Sequence, residues 1–266
     1  MHPLDGLRLK IARAKTEIDQ LGLMQDAFFE NTDYSIFRAE QNPISGKYIY
    51  RIKIVGPPPS LDWGIHIGEV AHNLRSALNH LVYQLALINR SNKPETVAAD
   101  KRLQFPIFLV QSEFNAKGKN MIKLLRSEHK AIIERLQPYD SNSMSLLKTV
   151  DLTEWRGSRN PLFWLEEINN ADKHRIIQVA GVKPGAFMVT YWGDRPEPFI
   201  GGTFGILEDG AIFGEADPEV HVNTKLHPLI AFANGCDATA NWAVVLMFNL
   251  IFKTVSEIIE YFASEF

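Results

Sequence analysis

One cysteine in 266 residues, Cys236, excludes an intramolecular disulfide and fits a reducing compartment. Charge of one sign is not in excess either. The chain carries 28 Lys and Arg against 31 Asp and Glu, a formal net charge of −3, so no global basic field draws it to nucleic acid or anionic lipid. The longest apolar run, Trp242 to Phe248, is far short of the ~20 residues that span a bilayer. The N-terminus, Met1-His2-Pro3-Leu4-Asp5, lacks the basic and then apolar regions of a secretory signal. Also missing are a phosphate-binding Gly-x-x-x-x-Gly-Lys, a Gly-x-Ser-x-Gly elbow, a dinucleotide fingerprint and a cysteine pair. We therefore expect a cytoplasmic, soluble protein with no membrane partner, no cofactor and no metal in its main site.

What is present is an ordinary globular composition, 45% hydrophobic and 22% charged. The pattern along the chain predicts an α+β fold in a single domain, 1–266. Its helical core comprises 1–180 and 241–266, and a β-rich segment covers 181–235. Leu4, Leu7, Ile11, Ala14, Ile18 and Leu21 repeat at 3-4-3-4-3, an a/d seam on a long first helix. Such a seam packs against another helix of the chain or against a second copy, and a homodimer is one expectation.

Two strands, Tyr34–Arg38 and Tyr48–Val55, flank the turn chemistry of Asn42-Pro43-Ile44-Ser45-Gly46 and predict a β-hairpin. Met121, Leu124, Leu125, Ile132, Ile133 and Leu136 predict one helix over 119–137. Asn160-Pro161 predicts an N-cap followed by proline at the first helical position. After Gly181 the period changes to two. There, Phe204–Leu207 and Ala211–Phe213 are expected to pair across Glu208-Asp209-Gly210. A last apolar helix runs from Trp242 to Phe262.

The most informative window holds three of the eight histidines, His66, His72 and His80, on one amphipathic helix reaching about Ile88. The arc opposite its apolar stripe carries His72, Asn73, Arg75, Ser76, Asn79, His80 and Tyr83, with one glutamate, Glu69, and no lysine. Open water favours Lys and Glu, so this arc suits a lined cleft. Histidine gives and takes protons near neutrality. A second polar segment, Asp172-Lys173-His174-Arg175, supplies a further wall in which Lys173 or Arg175 holds an anion. Its plainer role is cation capping of a helix C-terminus, with an Asp172–Arg175 pair.

Arg75-Ser76-Ala77-Leu78-Asn79-His80 has the form Arg-x4-His and resembles the signature of the HEPN superfamily, helical proteins that include metal-independent ribonucleases. The resemblance implies that His80 transfers protons and that Arg75 clamps phosphate. The lined-cleft reading of the two polar segments adds His72, Asn79, Asp172, Lys173, His174 and Arg175 as candidate substrate-binding residues. The segments Asn73–Leu81, Leu136-Gln137-Pro138-Tyr139 and Asn169–Arg175 are similar to those of an uncharacterised bacterial protein family, a likeness spanning most of the first 180 residues.

Three functions stay open on these residues. The first is an RNA-cleaving enzyme built on Arg75 and His80. The second is a non-catalytic helical binding or assembly protein whose His/Arg/Asn-lined cleft takes RNA or another anionic ligand. The third is a metal-dependent enzyme using Glu69-x-x-His72, with His174 completing the site. A local basic patch, Lys117, Lys119, Lys123, Arg126, Lys130 and Arg135, offers a polyanion a surface that the net charge does not.

Overall fold

With two exceptions, at 122–126 and 205–207, the 3.6-residue periodicities become helices and the described period-two segments become antiparallel strands, giving an α+β fold. The computed structural model describes residues 2–91, 93, 97, 101–140, 142–147, 160–174, 179–190, 200–201, 205–218, 223–234 and 242–266. Its main helices are α1 (Asp5–Asn31), α2 (Asp62–Asn89), α3 (Ser127–Arg135), α4 (Pro161–His174) and α5 (Val244–Tyr261). The strands are β1 (Asp33–Gln41), β2 (Tyr48–Val55), β3 (Val179–Thr190), β4 (Ile200–Gly201), β5 (Ile212–Ala216) and β6 (Asn223–Asn234). Two compact units share them. The first holds Met1–Asp19, Ile65–Ile177 and Leu246–Phe266; the second holds Gln20–Gly64 and Gln178–Val245. No helix among the described residues is long and apolar enough to cross a membrane.

In the first, helical unit, the seam residues Leu4, just before α1, and Leu7, Ala14 and Ile18 within it are buried within the chain itself, which answers the packing expectation for that stripe. α2 buries Ile67, Val70, Ala71, Leu74, Ala77, Leu78, Leu81, Val82 and Leu85, the whole stripe its spacing predicts. α4 opens as its sequence requires. The Asn160 side-chain oxygen accepts from the Leu162 amide at 2.8 Å, capping the helix, and Pro161 follows where a missing N–H costs nothing.

The helix expected over 119–137 is not continuous. A short helical stretch covers 111–121 and widens to a π turn at Phe114–Gly118. The chain then leaves helical geometry at Ile122 (φ −121°, ψ 16°), and α3 restarts at Ser127 from an extended Arg126 (φ −63°, ψ 157°). The apolar set spans both pieces because Ile122, Leu124 and Leu125 are buried from a turn as effectively as from a helix. Gly118 permits the π turn, since a Cβ there would lie 2.6 Å from the Phe114 ring.

In the second unit the hairpin forms as expected. Asn42 Oδ1 accepts from the amides of Ile44 (3.0 Å) and Ser45 (3.3 Å), and Gly46 takes φ +71°. β1 pairs β2 antiparallel with an irregularity between Arg38 and Glu40, and the four-stranded order is β1-β2-β5-β4. β3 and β6 make a separate antiparallel pair. The hairpin foreseen across Glu208-Asp209-Gly210 is replaced by another pairing. β5 pairs with β2 and β4, while Gly205, Ile206 and Leu207 are not strand. The segment leading into β5 is claimed by other partners: the Leu207 amide donates to Val182 O at 2.7 Å, and the Gly210 amide to Ile52 O at 2.9 Å. Phe204, Val220–Val222 and Cys236 lie outside the described residues.

Candidate functional site

α2 and α4 lie side by side in the helical unit and run antiparallel, because Gly68 meets Asp172 while Arg75, two turns further along α2, meets Glu166. A Cβ on Gly68 would lie 2.4 Å from Asp172 Oδ1, so glycine is what lets the carboxylate rest against the α2 backbone. The two polar segments singled out in the sequence are therefore neighbours. Of the second segment's side chains, the exposed Asp172 carboxylate is the one placed, beside Gly68.

Arg75 is 6% exposed. Its Nε lies 2.8 Å from Glu166 Oε2, and its Nη1 donates to Asn79 Oδ1 at 3.1 Å, one turn along the same helix. Burial pulls the guanidinium below its usual pKa, and the Glu166 carboxylate pulls it back up. Asn79 Oδ1 also accepts from the Phe105 amide at 3.0 Å, and Glu166 Oε1 accepts from Asn170 Nδ2 at 3.3 Å. A continuous polar chain results, from Asn170 through Glu166, Arg75 and Asn79 to the backbone at Phe105.

That backbone is held at its other end as well. Gln137 is fully buried. Its Oε1 accepts from the Phe108 amide at 3.0 Å, and its Nε2 donates to Pro106 O at 2.8 Å and Ile133 O at 3.0 Å. Phe105-Pro106-Ile107-Phe108 is thus stitched to α2 by Asn79 and to the end of α3 by Gln137. Phe108 continues into an edge-to-face cluster with Phe114, whose ring meets Tyr139 at 5.9 Å. Burial, then Glu134 and Asp140, raises the Tyr139 hydroxyl to about 12.

His80 and His72 stand apart from this chain on exposed positions of α2. At about 100° per residue, the five steps from Arg75 to His80 turn the helix by about 140° from that direction. Burial and the Lys10 charge both lower the His80 pKa below its ordinary 6.5, which favours the neutral imidazole at neutral pH. Lys173 and His174 belong to the last turn of α4, and their side chains, like all of Arg175, lie outside the described residues.

Glu166, Gln137 and Phe105 complete the network, and sequence reasoning missed the parts they play. The available signals were the end of the expected helix at 137 and the Leu136-Gln137-Pro138-Tyr139 similarity. Neither announces a partner tens of residues away.

The carboxylates and imidazoles group differently from the Glu69-x-x-His72 expectation. Glu69 joins His66 on α2 and Glu17 on α1, with ligand atoms all within 4.8 Å of one another, and this is the group of metal-ligand type found among the described residues. Glu17 Oε2 lies 2.8 Å from His66 Nδ1, and Arg13 Nη2 lies 2.6 Å from Glu17 Oε1 and 3.6 Å from Glu69 Oε2. The β-rich unit has a concavity of its own, about 360 Å³, lined by Tyr34, Ile54, Gly56, Pro58, Pro59 and Leu207 among others. Burial raises the Tyr34 hydroxyl there.

No family model, no curated protein and no solved structure matches the chain.

Proposed function

We propose that this chain is a non-catalytic helical binding protein for an anionic partner such as RNA, in which Arg75 and Asn79 brace the fold. The observation that carries this reading is the burial of Arg75 between Glu166 and Asn79. A guanidinium that clamps a transferring phosphate must present its fork to the substrate. Here a carboxylate already neutralises it, and drawing it out would leave Glu166 without its cation. The anionic partner is left to exposed cations. Lys117, Lys119 and Arg135 are exposed in a stretch of six basic side chains and two carboxylates, 117–135.

RNA cleavage is the second reading, favoured by His80, which is exposed and held toward its neutral form as a general base requires. Self-association belongs with the proposals too. It would use the apolar side chains that α1 leaves exposed, Leu9 at 72% and Leu23 at 64%, rather than its buried seam.

One experiment separates the two main readings. The full chain is titrated into a labelled single-stranded RNA followed by fluorescence anisotropy, and the same samples are run on a denaturing gel with and without EDTA. We expect binding that weakens steeply as salt rises, with the RNA intact throughout. Cleavage that survives EDTA and disappears in His80→Ala would overturn the non-catalytic reading in favour of the nuclease. Absence of binding at low salt would remove the anionic partner.

A further inference from the structure

We propose that Glu17, His66 and Glu69 form a binding site for a divalent first-row transition cation such as Zn²⁺ or Mn²⁺. The site is independent of the Arg75 network and of any anionic partner.

Its ligands come from two helices, as a rigid site needs. His66 and Glu69 stand three apart on α2, one turn along the same face, and Glu17 reaches them from α1. One atom of each lies within 4.8 Å of the other two. Two ligands of one ion at about 2.0–2.2 Å sit about 3–3.5 Å apart. Glu17 Oε2 and His66 Nδ1, now joined by a hydrogen bond at 2.8 Å in which the imidazole donates, need part only slightly to reach that spacing. Glu69, whose side chain is 46% exposed, has the freedom to swing in.

The charge balance supports a cation. Glu17 is a carboxylate only 4% exposed, and burying such a group demands positive charge nearby. Two carboxylates face one guanidinium, Arg13, and a histidine that is neutral when it acts as a ligand. With its proton on Nε2, the imidazole offers the Nδ1 lone pair, and the set stays negative by one charge. Arg13 sits on the far oxygen, Glu17 Oε1, at 2.6 Å and only reaches Glu69 at 3.6 Å. It leaves in place the hydrogen bond between Oε2 and Nδ1, which the ion opens as the imidazole proton moves to Nε2. An imidazole nitrogen with two carboxylate oxygens suits zinc or manganese, and the nitrogen disfavours magnesium and calcium, which prefer all-oxygen sets. Three protein ligands leave coordination positions for water, since His66 and Glu69 are both partly exposed.

The test uses the purified full chain stripped with chelator and titrated calorimetrically with Zn²⁺ and, separately, Mn²⁺. Co²⁺ is added in a parallel series and followed by its visible d–d absorption. We expect one saturable equivalent that excess Mg²⁺ does not displace. His66→Ala and Glu69→Gln should each weaken it by more than the about 10–100-fold that follows loss of an outer-shell partner. The Co²⁺ spectrum should change in His66→Ala, reporting a lost nitrogen ligand. Arg13→Met should bind more tightly, because it removes the competing cation. Absence of a saturable equivalent, or an affinity unchanged in both His66→Ala and Glu69→Gln, overturns the site. Glu69→Gln alters a half-exposed side chain and keeps the test valid should His66→Ala disturb the fold.

Discussion

The helical unit and the β-rich unit hold their irregular segments in different ways. In the helical unit, side chains reach across long sequence separations to satisfy the backbone. Asn79 takes the Phe105 amide, and Gln137 takes Phe108 and Pro106. In the β-rich unit, loop backbone also pairs directly with strand backbone, and glycines permit the turns. Gly46, Gly56 and Gly210 adopt φ of +71°, +131° and +75°, and Gly210 and Ala211 bond directly with Ile52. Side chains contribute there too, among them Asp209 Oδ1 on the Ile54 amide (2.8 Å), Gln25 Oε1 on the Ile230 amide (3.1 Å), Arg51 Nη1 on the Gly210 carbonyl (2.7 Å) and Asn42 Oδ1 within its own turn. A strand exposes hydrogen-bonding groups to its neighbours, whereas a helix consumes its own. A loop packed among helices therefore has to find side-chain partners.

The contrast can be broken most forcefully at Arg75. Arg75→Met leaves Glu166 without its cation and should cost about 3 kcal/mol in a urea unfolding midpoint. Arg75→Met combined with Glu166→Leu should regain much of that, because the unpaired charge goes with its partner. A full loss that the double variant does not relieve would mean that the guanidinium acts through packing alone.

Gln137→Leu should cost about 2 kcal/mol by the same measurement, since it orphans the Phe108 amide and the Pro106 carbonyl in a buried place. Tolerance of leucine there would mean that the Phe105–Phe108 segment does not depend on its side-chain partners.

The β-rich unit should be most sensitive at Gly56, where φ is +131° and a Cβ would lie 2.9 Å from the Thr32 side chain. Gly56→Ala should cost between about 1 and 2 kcal/mol. Gly46→Ala should cost ~1 kcal/mol, because its Cβ would meet open space and only the left-handed backbone resists. Equal losses at the two sites would remove crowding from the account of Gly56.

The smallest effect belongs to His80. Its folded pKa lies below the ordinary 6.5, so the unfolded chain takes up the proton first as pH falls. Its contribution to stability is intact above about 6.5 and declines as pH drops from there through the folded value. His80→Gln should flatten the acid side of the melting temperature against pH slightly, with no change at pH 8. A steeper acid slope in that variant would contradict the direction of the shift.

Much of the architecture was legible from local chemistry. The Asn160 cap, the Asn42–Gly46 turn and the buried stripe of α2 each depend on residues within a few positions of one another, and each formed where expected. The break at 122–126 was not legible, because buried turn residues and buried helix residues share one hydrophobic signature. The partner of β5 was not legible either, since strand pairing depends on which edges are free once every other element has docked.

The candidate site divides along the same line. From the sequence alone came the α+β class, the amphipathic histidine helix, and the expectation that Arg75 and Asn79 carry polar side chains unsuited to open water. Composition and periodicity suffice for that, because they act through neighbours in the chain. Tertiary structure decided where those side chains went: Arg75 to Glu166, Asn79 to the Phe105 amide, Asp172 to the surface of Gly68, and His66 to Glu17. A polar residue on a helix states only that it needs a partner. Which partner it finds is set by the packing of elements that lie far apart in the chain.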